Sequence, residues 1–419
     1  MYKIMHLYFW IVRLVALFGH KKAQKLVKGQ KAVWSELQSI REGDGAQAKW
    51  LWFHAASVGE FEQARPIIEK LKESKNANSY KILLTFFSPS GYEMRKNYAL
   101  ADKVAYLPFA TRRNAKRFLD LVKPEMAIFA KYEFWPAYMK ELMKRNIRSY
   151  VIAAIFRKSQ IFFKPWGYWY RSLLRCFEVM FVQDEASQKL LNQYGVTNVE
   201  VAGDTRFDRV VAIAKQSKDI ELAQVFRDSH SLLELNPQPY KIIVAGSTWP
   251  QDEQMLSRYV SEREDVKLIL VPHEIHEEHL HTIFELWQGN LVRYTRATLE
   301  NVGHTRTLLL DTMGMLSSIY KYADVAYIGG GFGDGIHNTL EAAVYGIPVL
   351  FGPKFQKFRE AKGLIAAGAS YSVKNYAEFK QRMDEAIDCR VRMGQAAKEY
   401  VESELGATDR IIERLKLKV

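Results

Sequence analysis

Two stretches of this 419-residue chain carry residues whose types and spacing suit chemistry. In the first, an apolar run from Trp50 to Ala55 (WLWFHA) leads into Ala56, Ser57, Val58, Gly59 and Glu60. This puts a carboxylate at the carboxyl end of an expected parallel strand, where open α/β sheets bind their ligands and where a carboxylate can act as a general base. The same residues also read as Ser-x-x-Glu, a capping box that only starts a helix over FEQARPII. The two readings are evenly matched by spacing. Gly59 favours chemistry, since glycine in the first turn weakens a helix that is supposedly being capped.

The second stretch runs from Tyr327 to Pro353 and reads as a strand, a glycine-rich loop, a helix and another strand. Gly329, Gly330, Gly331, Gly333 and Gly335 remove Cβ atoms that would hold a ligand off the backbone, at roughly 0.5–1 kcal/mol each in chain entropy. Something is therefore expected to approach the loop closely. Asn338 with Glu341 three residues on marks a helix start, whose unpaired amides attract anions. A nucleotide or phosphate site is the expectation, and a plain capping box is the bland alternative.

The elements that must hold these residues follow from the pattern around them. From residue 50 onward short apolar runs alternate with amphipathic segments: WLWFHA, KILLTFF, VAYLPF, MAIFA, SYVIAAI, MFVQ and VEVAG. A second series follows with KIIVAGS, KLILVPH, TLLLD, VAYIGGG and IPVLFG. Near-continuous apolar strands separated by helices predict parallel sheets covered on both faces, hence an α/β protein with two doubly wound domains meeting at a cleft. A polar, helical-looking stretch from about 208 to 238, ending in NPQP, is expected to link them. AAKEYVESELGATDRIIERLKLKV is amphipathic and suits a helix packing back on the first domain.

Composition narrows the partners. The net charge of +13 favours anionic ones, among them nucleic acid, acidic lipid and phosphorylated ligands. Cys176 and Cys389 stand far apart with no CxxC or Cys/His cluster, so neither a disulfide framework nor a zinc site is predicted, and a reducing compartment is expected. Asp311, Asp324 and Asp334 are too scattered to suggest a metal. The run from Ile4 to Phe18, interrupted by His6 and Arg13, is short for a membrane span and is followed by Lys21, Lys22, Lys25, Lys28 and Lys31. With Tyr8, Phe9 and Trp10 it suits a helix lying in an anionic membrane interface, with the body of the protein on the cytoplasmic side. A second mixture of cations with Phe162, Phe163, Trp166, Tyr168, Trp169 and Tyr170 fits the headgroup zone, single-stranded nucleic acid or an ordinary core. The nearby anchor favours lipid.

HAASVGE, LLTFFSPSGYE, KYEFWP, FVQDEAS, VAGDTRFDR, VPHE, DTMGML and GGGF followed by HNTLEAAVYGIPVLFGP occur in an order and spacing that resemble the 3-deoxy-D-manno-octulosonic acid (Kdo) transferase family. The resemblance spans nearly the whole chain. It implies an inverting glycosyltransferase of GT-B fold, with two Rossmann-like domains, that moves Kdo from CMP-Kdo to a lipid A precursor in lipopolysaccharide synthesis on the cytoplasmic face of the inner membrane. Glu60 is then the base that deprotonates the acceptor hydroxyl, while Glu133 and Arg206 support the transition state, Arg206 by meeting the departing phosphate. Pro272, His273, Met313, Gly314, Met315, Asn338, Thr339, Leu340 and Glu341 match the CMP site, with Glu341 on the ribose hydroxyls.

The implied organisation is an anchor and basic flank over 1–35, an acceptor-binding domain over 36–210, a linker over 211–238, a CMP-Kdo-binding domain over 239–395 and a returning helix over 396–419. No cofactor, metal or nucleic acid is expected, because a single donor phosphate can be met by amides and a cation. Four positions depart from the family's pattern: Arg206 stands for a frequent lysine, Lys131 for an acid, His273 for an arginine and Met315 for a glutamate. Bland readings remain for Glu133, as an acid at the start of the helix over WPAYMKELMKR, and for Arg206, as a surface cation paired with Asp204 or Asp208. The rival functions are a GT-B enzyme using a UDP-sugar, a sugar-nucleotide epimerase, or a basic lipid- or nucleic-acid-binding protein.

Overall fold

The computed structural model describes residues 2–229 and 239–417, with only the backbone for residues 2–7, 44, 46 and 77. Part of the expected anchor and the end of the expected linker, 230–238, thus fall outside the described side chains or residues. The chain divides into two compact units, one of residues 1–208 with 405–419 and one of residues 209–404.

In the first unit the apolar runs form seven strands: β1 (Trp50–Ala55), β2 (Lys81–Phe86), β3 (Lys103–Tyr106), β4 (Met126–Ala130), β5 (Arg148–Ala154), β6 (Val179–Val182) and β7 (Val199–Val201). They make one sheet in the order β3-β2-β1-β4-β5-β6-β7, every neighbouring pair parallel. The two-residue period sorts β1 cleanly. Trp50 and Trp52 enter one core with Phe118 and Phe129, and Leu51, Phe53 and Ala55 enter the other with Phe61 and Ile67. Sequence order reverses between β1 and β4, so this sheet has its switch point where ligands of doubly wound sheets bind.

The second unit repeats the plan with β8 (Lys241–Thr248), β9 (Val266–Pro272), β10 (Val292–Arg293), β11 (Thr307–Leu309), β12 (Val325–Ile328), β13 (Val349–Phe351) and β14 (Ser370–Ser372). Their order is β10-β11-β9-β8-β12-β13-β14, with the switch between β8 and β12. The apolar-run pattern misses β10 and β14. Both are edge strands of two or three residues, too short and too little buried to leave a run.

Two helices precede β1: α1 (Tyr2–Leu17) and α2 (Lys21–Gln38). Gln30 docks α2 by donating to Leu107 O (2.8 Å) and accepting from Phe109 N (2.8 Å). Gly29 is required there, since a Cβ would lie 2.2 Å from the Tyr106 ring. Phe9 of α1 stacks on Phe109 at 3.9 Å. Val12 packs against the same core and Ala16 is buried, whereas Trp10 and Leu17 of α1 and Phe18 just after it are 61%, 83% and 83% exposed. Among the described residues no helix is long and apolar enough to cross a membrane. The second aromatic stretch divides, with Phe162 and Phe163 in the core and Trp166 and Tyr168 exposed.

After β1 comes α3 (Val58–Glu73), against which the helix Ala407–Leu415 packs through Ile411, Ile412 and Leu415. Asp208 starts that last helix by accepting from Gly406 N (2.6 Å) and Thr408 N (2.7 Å). The preceding helix, Arg390–Ser403, belongs to the second unit.

Candidate active site

Glu60 sits in the first turn of α3, and its Oε2 accepts from Ala56 N at 2.6 Å. Ser57 Oγ in turn accepts from Glu60 N at 3.4 Å. The carboxylate thus closes the turn, as the capping reading has it, and it does so at the sheet's switch point. Burial raises its pKa most, the Glu133 charge raises it further, and Ala56 N–H, His54 and Lys131 oppose them. A base with raised proton affinity pulls harder on an acceptor proton while it remains ionised.

Glu133 comes from the segment after β4, the neighbour of β1. It is not in the first turn of the helix Pro136–Lys144. Its Oε2 accepts from Trp135 Nε1 at 2.9 Å and lies 3.5 Å from His54 Nε2. The helix-start reading of Glu133 therefore gives way to one in which the carboxylate faces a buried imidazole. Lys131, between β4 and Glu133, has φ +57°, a left-handed conformation that side chains rarely adopt. Such strain is retained where the surrounding structure dictates the backbone, often at functional sites.

Arg206 is paired with Asp204, as the bland reading allowed. Its Nε lies 3.2 and 3.1 Å from the two carboxylate oxygens and its Nη2 donates at 2.7 Å. Asp204 is buried, so the ion pair is more than a surface contact. Thr205 Oγ1 donates to Gln63 O at 2.6 Å, and the Gln63 amide, oriented to satisfy both groups, joins Asp204 (2.7 Å) to Arg206 (2.8 Å). Gln63 lies one turn beyond Glu60, so α3 positions both Glu60 and Arg206.

In the second unit the glycine loop has a different explanation from the expected one. A Cβ on Gly329 would fall 2.2 Å from Ser247 O, and one on Gly331 would fall 2.6 Å from Gly352 Cα. What approaches these glycines is the protein's own backbone. Four of the five glycine amides already donate internally: Gly329 to Gly246 O, Gly330 to Asp252 Oδ2, and Gly333 and Gly335 to Gly330 O. Gly333 alone of the five has little beside it, its Cβ meeting only Gly330 O at 3.6 Å. The helix that follows is one turn, Leu340–Ala343, with Thr339 at its N-cap position making no side-chain capping bond. Asn338 accepts from Leu340 N at 3.2 Å and donates to Glu341 at 2.9 Å. The expected array of free amides is therefore largely consumed by the fold.

Rings gather at the same sheet end. His273, just after β9, lies between Trp249 (centroids 4.9 Å) and His337 (4.5 Å), and Trp249 Nε1 donates to His337 Nε2 at 3.3 Å. Burial first, and His273 second, push His337 down to about 4, so it stays neutral near pH 7. Asp252 holds the loop by accepting from Tyr327 OH (2.7 Å), Gly330 N and Trp249 N (both 3.0 Å). Glu253 accepts from Thr248 Oγ1 at 3.0 Å and lies 3.0 Å from His279 Nε2. Gly314 (φ +89°) and Met315 line a separate cavity of about 510 Å³ with Lys218, Asp219, Tyr294 and Ser318. Met313 is 76% exposed. No group of three or more potential metal ligands occurs among the described residues.

A family profile for 3-deoxy-D-manno-octulosonic-acid transferase (kdotransferase) matches residues 26–209. The 3-deoxy-D-manno-octulosonic acid transferase of Aquifex aeolicus is 27% identical over 362 residues, covering 84% of this chain and 89% of that protein. That of Rickettsia bellii is 24% identical over 420 residues, covering 97% and 93%. The profile and these relatives make this chain similar to the Kdo transferases over most of its length. Among solved structures, the UDP-GlcNAc 2-epimerase of Neisseria meningitidis bound to UDP-GlcNAc superposes with a TM-score of 0.57 at 16% identity, over 88% of this chain and 99% of that one. At that identity the likeness speaks for the GT-B-type fold alone.

In this chain, spacing alone missed the groups that hold the candidates. His54 stood in plain view as the one polar residue of WLWFHA, and His337 adjoins Asn338. Asp204 was in view only as a partner of Arg206, and Thr85 and Asp252 had no signal, since His54 for the one and Tyr327 and Gly330 for the other are distant in sequence.

Proposed function

We propose that this chain is a Kdo transferase that moves Kdo from CMP-Kdo to a lipid A precursor by inverting displacement, with Glu60 as base. The observation that carries the reading is a half-buried carboxylate at the switch point of the first unit's sheet, its proton affinity raised chiefly by burial. In this mechanism Glu60 takes the proton of the acceptor hydroxyl as its oxygen bonds to the anomeric carbon and the bond to the CMP phosphate breaks. Arg206, partly balanced by Asp204, is the cation assigned to the charge that develops on the leaving phosphate. In the second unit Pro272, His273, Met313–Met315 and Asn338–Glu341 are assigned to CMP, with His273 in the arginine's place. Mass spectrometry of a tetra-acylated lipid A precursor, incubated with fresh CMP-Kdo and the folded protein, tests this. A gain of Kdo mass, inhibited by CMP more than by UDP and retained in EDTA, is expected. No gain would overturn the donor or acceptor, and loss in EDTA restored by Mg²⁺ would overturn the metal-free mechanism.

The same reading assigns the protein to the cytoplasmic face of the inner membrane as a peripheral or monotopic protein. The exposed Trp10, Leu17 and Phe18 beside the lysines of α2 support it. The wild type is expected to co-sediment with phosphatidylglycerol vesicles more than with neutral ones. Leu17→Glu/Phe18→Glu should lower that binding about tenfold or more, since each buried apolar side chain contributes roughly 1.5–3 kcal/mol. Equal binding by the variant and the wild type would remove the assignment.

A further inference from the structure

His54 is 1% exposed, and its two ring nitrogens have unlike surroundings. Nδ1 lies 3.1 Å from Thr85 O and 2.9 Å from Thr85 Oγ1. A carbonyl oxygen only accepts, and the Thr85 hydroxyl receives Trp52 Nε1–H at 2.8 Å while donating to Phe53 O at 3.3 Å. Nδ1 therefore carries a hydrogen. In a neutral ring this leaves Nε2 with a bare lone pair. Nε2 is buried, has no hydrogen-bond partner and points at Glu133 Oε2, 3.5 Å away. A lone pair facing a carboxylate in a buried site is repulsive and leaves an acceptor unsatisfied, a costly arrangement. One proton on the line between them removes both problems.

We propose that His54 and Glu133 hold one proton between Nε2 and Oε2, and that His54 is thereby a positioning residue that neutralises Glu133 beside the base Glu60. Trp52 and Thr85 fix the ring from behind, and Trp135 Nε1–H holds the same Glu133 oxygen from the other side. The charged groups acting on Glu60 are Glu133, His54 and Lys131. Without His54 the full charge of Glu133 would bear on Glu60 and hold its proton in place. The pair thus sets how far into acid the base stays ionised.

The proposal rests on Glu60 being the base, and pH profiles of kcat/KM for Kdo transfer test it. In His54→Asn, whose amide can donate to Glu133 but cannot take a charge, the acid limb moves to higher pH. The variant's deficit then grows about threefold or more from the plateau to the acid end, as half a pKa unit requires. In Glu133→Gln the amide donates to the bare Nε2, the pair stays neutral, and the limb keeps its position although the plateau falls. An acid shift of the limb in Glu133→Gln overturns the proposal whatever His54→Asn does, and so does an unmoved limb in folded His54→Asn. Imidazole ¹⁵N spectra of the wild type near pH 7 give a reading without catalysis. A protonated or hydrogen-bonded Nε2 signal for His54, assigned by its loss in His54→Asn, agrees, and a bare Nε2 signal overturns the proposal. Absence of transfer in the wild type would instead strike the assigned reaction and leave the spectral result standing.

Discussion

Glu60→Gln is expected to fold and to lose about 10²–10⁴-fold in kcat/KM for Kdo transfer, the range that a general base contributes. The substitution is a clean one, because the amide oxygen can still accept from Ala56 N and the turn opening α3 keeps its closure. Only the capacity to take a proton is lost. Stability should move the other way. The folded protein raises the Glu60 pKa, chiefly through burial. Between the unfolded and the folded value the native chain binds more protons than the unfolded one, so this carboxyl's contribution to stability falls as pH rises through that window. Above the window the cost is fully present, and glutamine does not bear it. Thermal melts should therefore place Glu60→Gln at or above the wild type near neutral pH, with the gap closing in acid below the unfolded value. A variant that melts well below the wild type at neutral pH would show that the carboxylate serves mainly as a cap, and a variant with full activity would remove Glu60 as the base.

Gly329→Ala should cost the second unit about 1–3 kcal/mol, the usual range for forcing atoms into packed space. Its Cβ would meet Ser247 O at 2.2 Å and Thr248 Cα at 2.7 Å, both backbone atoms that no rotamer change can move. Ser247 already sits at φ +55°, in a strand with an irregular register between Gly246 and Thr248, so the contact has little room to relax. Gly333→Ala is the matched control, with only Gly330 O at 3.6 Å beside its Cβ. It should unfold like the wild type in urea. If it also raises KM for CMP-Kdo, the donor approaches the loop at Gly333. Equal stability losses in the two variants would contradict the internal packing described for Gly329.

The two candidate sites were legible to different depths. The strand-by-strand alternation announced both sheets, because a strand buried on both faces must be apolar along its length, and WLWFHA and MAIFA became β1 and β4 with the expected bounds. Glu60 was legible because it follows one of those strands directly. The glycine loop was legible as a place of close approach, but composition cannot say whether a ligand or another strand's backbone does the approaching. Here Ser247, Thr248 and Gly352 do, from β8's end and the residue after β13.

By its sequence alone this protein was determined to be a parallel α/β chain with two sheets, an apolar and basic N-terminus, and an ordered set of motifs that resembles the Kdo transferases. These are properties of local pattern, in which each residue's burial follows from its neighbours along the chain. Only the tertiary structure decided the state of the site. Strand order sets β4 beside β1 and so brings Glu133 to His54 and Glu60 across some seventy residues of sequence. The same folding neutralises part of Arg206 with Asp204 and uses up most of the glycine amides. The charge and proton affinity of a buried group depend on which groups surround it in space, and spacing along the chain does not encode that.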